Sequence, residues 1–181
     1  DAITKWFASA DRPKEEVIVV IDPDNWLLKD VAPWVDQVSK GHALGEAAYY
    51  HGSRTAHRLW RELCLKNCDV DIDTVGVPYV VHRDDLAVIA PLWRMYVLLI
   101  KDRLEKSNPK HEEFAETYKS LDVNWAAEMY GYNFASTHAG VKHTVVRRMQ
   151  VRDVDGERRK SVLEDVAMIH VGRAWFPPDY A

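Results

Sequence analysis

The chain has 181 residues, with 24 Lys and Arg, 28 Asp and Glu, and a formal net charge of -4. This length suits one domain with a sizeable core, and the acidic balance argues against a general nucleic-acid binder, whose surface would be basic. No apolar run approaches the roughly 20 residues that cross a bilayer, and no signal peptide precedes the first strand, so we expect a soluble chain.

The first predicted elements are a helix and an apolar strand. Residues 1–10 are typical of the end of a helix, with Ile3 and Phe7 facing inward. Residues 17–21 are consecutive apolar residues without alternation, which predicts a central strand buried on both faces of an α/β sheet. Strands of this kind carry ligands at their carboxyl ends.

An acid pair follows this strand. Asp22 and Asp24 flank Pro23, which lacks a backbone donor and therefore ends the strand pairing. An Asp-x-Asp pair at a strand end can hold a hard divalent cation that bridges a diphosphate. The same residues are common turn formers, so a plain turn without a ligand is the alternative interpretation.

The middle of the chain alternates between short helices and strands. The patterns predict a helix at 30–39, a strand at 43–50, a helix at 55–65, a strand at 75–81 and a long helix from residue 84. Asp84 or Asp85 can cap the long helix, and Pro91 implies a kink or a restart within it. The spacing of Cys64 and Cys68 could place both on one helix face, where a disulfide is unusual, and pairing with cysteines outside this chain is the alternative.

The last third begins with the charged segment 101–120, which predicts a solvated loop or surface helix. Residues 124–135 then predict a helix that ends near Gly140. Glu128 is its only acid and is set among large apolar residues. A carboxylate is costly to bury in such surroundings, so Glu128 either belongs to a functional site or reaches solvent.

The chain ends in strand patterns separated by a charged segment. Residues 141–151 alternate weakly as one strand, and the charged segment 152–165 contains a hairpin turn at Asp155-Gly156. A final strand follows at 166–171. His170 near its end can be a metal ligand, although a single histidine in a strand is more often structural.

Four separated blocks of this sequence match one pattern. They are VIVVIDPDNWLL, GVPYVVHRDDLAVIAPLW, WAAEMYGYNFASTHAGVKH and the terminal IHVG. In these blocks the chain resembles the plant and algal glycosyltransferases that modify hydroxyproline-rich proteins. These are the peptidyl serine alpha-galactosyltransferases and the hydroxyproline O-arabinosyltransferases, and the H-x-D-D-L and E-M-Y-G-Y-x-F patterns favour the galactosyl branch.

The resemblance implies an α/β fold of the GT-A type, a UDP-sugar donor, Mn²⁺ or another divalent cation, and retention at the anomeric carbon. The implied acceptor is a protein rich in serine or hydroxyproline. Only 21 residues precede Asp22, so we expect a single domain that is the C-terminal part of a GT-A-like catalytic domain, without its N-terminal nucleotide-binding portion. The implied location is the lumen of the Golgi or endoplasmic reticulum, with membrane attachment only through parts outside this chain.

The resemblance also implies roles for individual residues. Asp22, Asp24 and His170 would be the metal ligands. Glu128 would be the catalytic residue that faces the donor sugar or the acceptor. The substrate-binding set would contain Asp22, Trp125, Tyr130 and His82.

Two other functions stay open at this stage. A non-catalytic carbohydrate- or protein-binding module would stack Tyr49, Tyr50 and the tryptophans on its ligand, and the acid pair would only shape a turn. A hydrolase would use Asp24 and Glu128 as a carboxylate pair and would release free sugar without an acceptor.

Overall fold

The computed structural model describes residues 2–48, 53–106, 123–152 and 166–170 of the chain. Within these ranges helices alternate with strands that form two sheets. The helices are α1 (Ala2–Phe7), α2 (Ala32–Val35), α3 (Ser53–Leu63), α4 (Arg83–Lys106) and α5 (Val123–Ala139). The strands are β1 (Val17–Val20), β2 (Asn25–Leu27), β3 (His42–Ala47), β4 (Val75–His82), β5 (Lys142–Val146), β6 (Gln150–Arg152) and β7 (Met168–His170).

The larger sheet is mixed and has the strand order β1-β4-β3-β5. β4 pairs antiparallel with both β1 and β3, whereas β3 and β5 run parallel. A parallel pair needs a long crossover, and α3, β4, α4 and α5 all lie between β3 and β5 in the sequence. The helices and the larger sheet therefore pack around one main hydrophobic core.

The first strand lies at the edge of the larger sheet, so the prediction of a central strand is wrong. β1 pairs with β4 alone in this sheet, and all its residues are only half-buried. Ile18 and Val20 pack against the main core, while Val17 and Val19 pack against a smaller apolar cluster. Each face of the strand therefore meets apolar side chains, which explains the missing alternation without a central position.

The smaller sheet has the strand order β2-β7-β6, with β2 antiparallel and β6 parallel to β7. The prediction of one strand over residues 141–151 is wrong, because β5 belongs to the larger sheet and β6 to the smaller one. Arg148 lies between them with a positive φ of 78°. At Arg148 the backbone turns away from the direction of β5, and the chain passes to the smaller sheet.

The main core lies between the larger sheet and the helices α3, α4 and α5. The side of α4 that meets this core carries the buried residues Leu86, Ile89, Tyr96 and Ile100. Helix α4 continues past Pro91, so no second helix starts there. Tyr132 of α5 stacks on Tyr79 of β4 with ring centroids 3.6 Å apart. The helices are thus fixed to the sheet by large interlocked side chains.

The start of α4 is held differently from the prediction. The ring Nδ1 of His82 accepts a hydrogen bond from the Asp84 backbone N–H at 3.2 Å, in the place expected for an aspartate cap. The buried Asp85 carboxylate instead accepts the Gly41 N–H at 2.6 Å, and Asp84 pairs with Lys40 at 3.2 Å. Both acids therefore attach α4 to the loop that precedes β3.

The two cysteines form a disulfide with Cα atoms 5.6 Å apart. The prediction that they share one helix face is wrong, because α3 ends at Leu63 and the chain leaves the helical path before Cys68. Asn67, with a positive φ of 59°, makes this change of direction. Among the described residues, no helix combines the length and apolar character needed to cross a bilayer.

Gly131 allows α5 to approach α4 closely. A Cβ atom at this position would lie 2.6 Å from Val97 Cγ2 and 3.2 Å from the Val97 backbone nitrogen. The Trp93 indole N–H also donates to the Glu128 carbonyl across this contact at 2.6 Å. The two helices therefore have no room for an added methyl group.

Gly131→Ala should lower the free energy of unfolding by about 1–3 kcal/mol, because the methyl group overpacks a backbone contact. Alanine is intrinsically the better helix former by about 1 kcal/mol, so the two effects have opposite signs. Urea unfolding followed by circular dichroism measures the difference. A variant more stable than the wild type would contradict the close packing of α4 on α5.

Candidate metal centre

The acid pair lies on a tight turn between the two sheets. The Asp22 carbonyl accepts a hydrogen bond from the Asn25 N–H at 3.1 Å, which closes a β-turn with Pro23 in its second position. Proline favours that position because its ring fixes φ near the required value. The predicted turn is therefore present, and it holds the two carboxylates between the end of β1 and the start of β2.

The register of the smaller sheet brings His170 to this turn. Asn25 of β2 lies directly opposite His170 of β7 in the antiparallel pair. Residues opposite one another in such a pair project from the same face of the sheet, with Cβ atoms about 5 Å apart. His170 of β7, the last described strand, therefore lies close to the acid pair that follows β1.

The three predicted metal ligands converge in the structure. His170 Nε2 lies 3.2 Å from Asp24 Oδ1 and 3.6 Å from Asp22 Oδ2. One ligand atom from each residue lies within 4.8 Å of the other two. Two donor atoms that bind one hard cation at about 2.1 Å and at right angles are about 3 Å apart, so this spacing suits a shared ion.

The side chains of this cluster are partly open to solvent. The exposed fractions are 40% for Asp22, 45% for Asp24 and 20% for His170. A cation and its remaining ligands can therefore reach the site without any movement of the core. Carboxylate oxygens suit hard ions such as Mg²⁺ and Mn²⁺, and the added imidazole favours a transition-metal ion.

The electrostatics of the cluster centre on Asp22. Burial raises the pKa of its carboxyl group, His170 lowers it, and the neighbouring carboxylates of Asp24 and Glu128 raise it further, so the net direction is upward. Ionised Asp22 is therefore held at some cost in free energy. A divalent cation would offset this cost, because it brings positive charge to the place where the carboxylates repel one another.

Glu128 lies near the acid pair and is exposed to solvent. It belongs to α5, and its charge is close enough to raise the pKa of Asp22. Exposure to solvent thus removes the burial cost expected for Glu128, and its charge still acts on Asp22. Its catalytic role stays a prediction.

Two of the other predicted substrate-binding residues, Tyr130 and His82, are buried and do not belong to the cluster. Tyr130 is fully buried in the main core, where its ring lies 6.4 Å from that of Phe134. His82 is buried opposite Val17, at the far end of β1 from the acid pair, and its Nε2 lies 3.5 Å from Glu16. These positions do not support a role in a cleft for either residue. The side chain of Trp125, and all of Tyr49 and Tyr50, lie outside the described parts of the chain.

Asn25 is a site residue that the sequence indicated only as a turn former. Both polar atoms of its side chain are buried, and neither has a hydrogen-bond partner among the described residues. A buried amide without partners is costly and rare in native proteins. Its place beside Asp24 and opposite His170 is consistent with a centre that is completed by a ligand.

Together these features define an α/β protein with a solvent-accessible cluster of two carboxylates and an imidazole at its strand ends. A family model described as "Hydroxyproline O-arabinosyltransferase family N-terminal domain" matches residues 1–145. The chain belongs to this family, which confirms the resemblance seen in its sequence blocks. The matched range includes Asp22, Asp24 and Glu128, whereas His170 follows it.

Several curated relatives align with most of this chain. A peptidyl serine alpha-galactosyltransferase from Arabidopsis thaliana is 29% identical over 141 residues, which are 77% of this chain and 17% of the relative. A hydroxyproline O-arabinosyltransferase from Pisum sativum is 28% identical over 134 residues, or 72% of this chain and 35% of the relative. A hydroxyproline O-arabinosyltransferase from Lotus japonicus is 29% identical over 145 residues, or 78% and 36%.

The chain therefore spans between 17% and 36% of the length of these three relatives. All three are glycosyltransferases by name, and their names give serine or hydroxyproline as the modified residue. No solved structure matches this chain.

Removing one donor from the cluster should weaken cation binding. Asp24→Asn and His170→Ala should each lower the affinity for Mn²⁺ by at least about tenfold, because the first replaces a charged ligand oxygen by a neutral one and the second removes a ligand. Isothermal titration calorimetry measures this change. Asp36→Asn, which neutralises an exposed acid at the end of α2, is the charge-matched control and should bind Mn²⁺ as the wild type does. Equal binding by Asp24→Asn would contradict the site.

Asp22→Asn should stabilise the protein at pH 7 in the presence of a chelator, since it removes a carboxylate whose pKa is raised in the folded state. The gain should stay below about 1 kcal/mol because solvent screens this partly exposed group. It should vanish near pH 3.5, below the unfolded-state pKa of about 3.9, and grow as pH rises through the folded-state pKa.

Thermal unfolding of both proteins at the two pH values measures this effect. Excess Mn²⁺ should reverse the order at pH 7, because it stabilises only the protein that binds it. A less stable Asp22→Asn variant in chelator would show that the carboxylate is not strained by its neighbours.

Proposed function

We propose that this chain is part of a metal-dependent, retaining glycosyltransferase. It would move a sugar, with galactose favoured, from a UDP-sugar to serine or hydroxyproline in hydroxyproline-rich glycoproteins. The observation that carries the proposal is the convergence of Asp22, Asp24 and His170, with ligand atoms within 4.8 Å of one another, in a member of this family. The relatives are named for transfer to these same acceptor residues.

The proposed fold is a GT-A-like domain. Its support is the acid pair that follows β1 in an α/β arrangement with a mixed sheet. The chain would form the C-terminal part of that domain, and the nucleotide-binding portion would come from elsewhere in the complete protein. The family model assigns residues 1–145 to an N-terminal domain, so the C-terminal position proposed for the chain refers to the GT-A-like domain and not to the complete protein.

In the proposed mechanism Asp22, Asp24 and His170 would hold Mn²⁺ or another divalent cation. Breaking the bond between a sugar and a diphosphate leaves negative charge on the departing group, and a divalent cation offsets that charge as it develops. The two carboxylates bind the ion most strongly when ionised, and the imidazole binds through its neutral form. The cluster would thus also orient the donor through its diphosphate.

Glu128 would act on the sugar side of the reaction. Its carboxylate is exposed beside the acid pair, where it can steady an oxocarbenium-like sugar or accept hydrogen bonds from sugar hydroxyl groups. In a front-face retaining route the leaving phosphate accepts the proton of the attacking hydroxyl group. No strong base is then required of the protein, which agrees with a single exposed carboxylate at this position.

The surface beside the acid pair suits a proline-rich acceptor. Trp26 and Leu27 lie two and three residues after Asp24 and are 60% and 61% exposed. Hydroxyproline-rich segments favour the polyproline II helix, and such helices dock on exposed aromatic side chains. Trp26 faces the opposite side of the smaller sheet from Asn25 and His170, so an acceptor bound there would reach the donor sugar around the edge strand β2.

The proposed location is the lumen of the Golgi or endoplasmic reticulum. The Cys64–Cys68 disulfide supports it, because disulfides persist in oxidising compartments. Any membrane attachment would come from parts outside this chain.

The test is a transfer assay with the full-length protein, Mn²⁺, a panel of UDP-sugars, and peptides that contain serine or hydroxyproline. Mass spectrometry should detect a peptide carrying one added sugar, with the signal strongest for UDP-galactose. Asp24→Asn should reduce the initial rate of transfer by at least about 100-fold, because the negative charge of a metal ligand is lost. Asp36→Asn should retain the wild-type rate.

Two results would replace this proposal. Sugar binding that persists in chelator, without transfer to any peptide, would indicate a binding module. Release of free sugar without an acceptor, lost in both Asp24→Asn and Glu128→Gln, would indicate a hydrolase.

A further inference from the structure

Glu46 is a buried acid that the proposed reaction does not use. It lies in β3, between β4 and β5 of the larger sheet, and is 9% exposed. Its carboxylate accepts three backbone N–H groups in a row: Arg148 at 3.2 Å, Met149 at 2.8 Å and Gln150 at 3.3 Å. This acid therefore binds the turn at which the chain passes from the larger sheet to the smaller one.

The turn needs this acid to keep its shape. Arg148 has a positive φ of 78°, a left-handed conformation that costs a non-glycine residue about 1 kcal/mol or more. Successive N–H groups that point to one place form a concave anion-binding site, and here the anion is the Glu46 carboxylate. Burial raises the pKa of Glu46 and the N–H groups of Met149, Gln150 and Arg148 lower it by less, so the net direction is upward. The hydrogen bonds thus favour the charged form that the turn requires.

The same turn anchors the strand that carries His170. The Met149 carbonyl accepts hydrogen bonds from the Ala167 N–H at 3.2 Å and the Met168 N–H at 3.0 Å. β6 starts at Gln150 and runs parallel to β7, with Arg152 opposite His170. On this side β7 is held by the Met149 carbonyl and by β6. Glu46 binds the N–H groups of Met149 and of Gln150, the first residue of β6.

We propose that Glu46 is a positioning residue for the metal centre, which fixes the turn 148–150 and through it the place of His170. This inference rests on the proposed metal site. Glu46 binds the Met149 and Gln150 N–H groups at the start of β6, and the Met149 carbonyl and β6 in turn hold β7. Without the acid, β7 loses its fixed support on one side, and His170 no longer meets the acid pair at a ligand's distance.

The variant Glu46→Gln keeps the size of the side chain but replaces an accepting oxygen by an NH₂ group. That group faces backbone N–H donors, so the turn loses at least one hydrogen bond and the charge that holds it. The affinity for Mn²⁺ should fall about tenfold, as for other residues that orient a metal ligand from outside. Asp85→Asn is the matched control, since Asp85 is also a buried acid bound to a backbone N–H, but at the loop before β3.

Calorimetric titration of the 181-residue chain with Mn²⁺ should be repeated in a His170→Ala background. If Glu46 acts through His170, Glu46→Gln should change the affinity less than about twofold there, because the ligand it positions is absent. Hydrogen exchange followed by NMR should show faster exchange of the Met168 amide in Glu46→Gln than in Asp85→Asn. If Glu46→Gln does not fold, Glu46→Asp, which keeps the charge but shortens the reach, takes its place in each comparison.

Each outcome has a definite meaning. Wild-type Mn²⁺ affinity in Glu46→Gln would overturn the inference, and so would an equal loss of affinity in both backgrounds, which would show a general effect on the fold. A wild-type chain that binds no Mn²⁺ would instead refute the proposed metal site. Unchanged exchange of the Met168 amide in that case would show that Glu46 does not fix β7 either.

Discussion

The antiparallel pairing of β2 with β7 is the interaction on which the candidate site depends. Each strand has only three residues, and their register sets Asn25 opposite His170. The hydrogen bond from the Leu28 N–H to the Ala167 carbonyl, at 2.7 Å, extends this pairing beyond the strands. A shift by one residue would turn the imidazole to the other face of the sheet, so the register decides whether the centre exists.

The two sheets have different tasks. The larger sheet and α4 and α5 form a densely packed body, with aromatic rings of Tyr79, Trp93 and Tyr132 in contact at its centre. The smaller sheet is short and carries His170 of the candidate metal cluster. The acid pair lies where the chain leaves the larger sheet for the smaller one, and Glu128 of α5 is close enough to raise the pKa of Asp22. The candidate metal ligands around the smaller sheet are thus held in place by the larger sheet.

Much of this arrangement could be predicted from the sequence, because the acid pair and His170 each follow a short apolar run. The helix ending near Gly140 was likewise signalled by its glycine, which has a φ of 78°. The edge position of β1 could not be predicted, since half-burial on two apolar clusters produces the same residue pattern as full burial.

The break at Arg148 was missed because it depends on Glu46, a carboxylate distant in sequence. The cap at His82 was missed because two aspartates follow it and are the commoner capping residues. The unusual pairing of Cys64 with Cys68 depends on where α3 ends, and helix ends are weakly encoded in local sequence. The break at Arg148 thus depends on a contact distant in sequence, whereas the cap and the disulfide depend on the local course of the chain.

The partial exposure of the acid pair has a consequence for the order of binding. Three protein donors fill only part of an octahedral shell, so the remaining positions are free for water or for oxygen atoms of a diphosphate. A nucleotide sugar that supplies such atoms would raise the affinity for the ion, and the ion would raise the affinity for the nucleotide sugar by the same factor. The donor and the metal ion would then bind together at this partly exposed cluster. After transfer, the nucleotide and the ion would dissociate more easily than from a buried site.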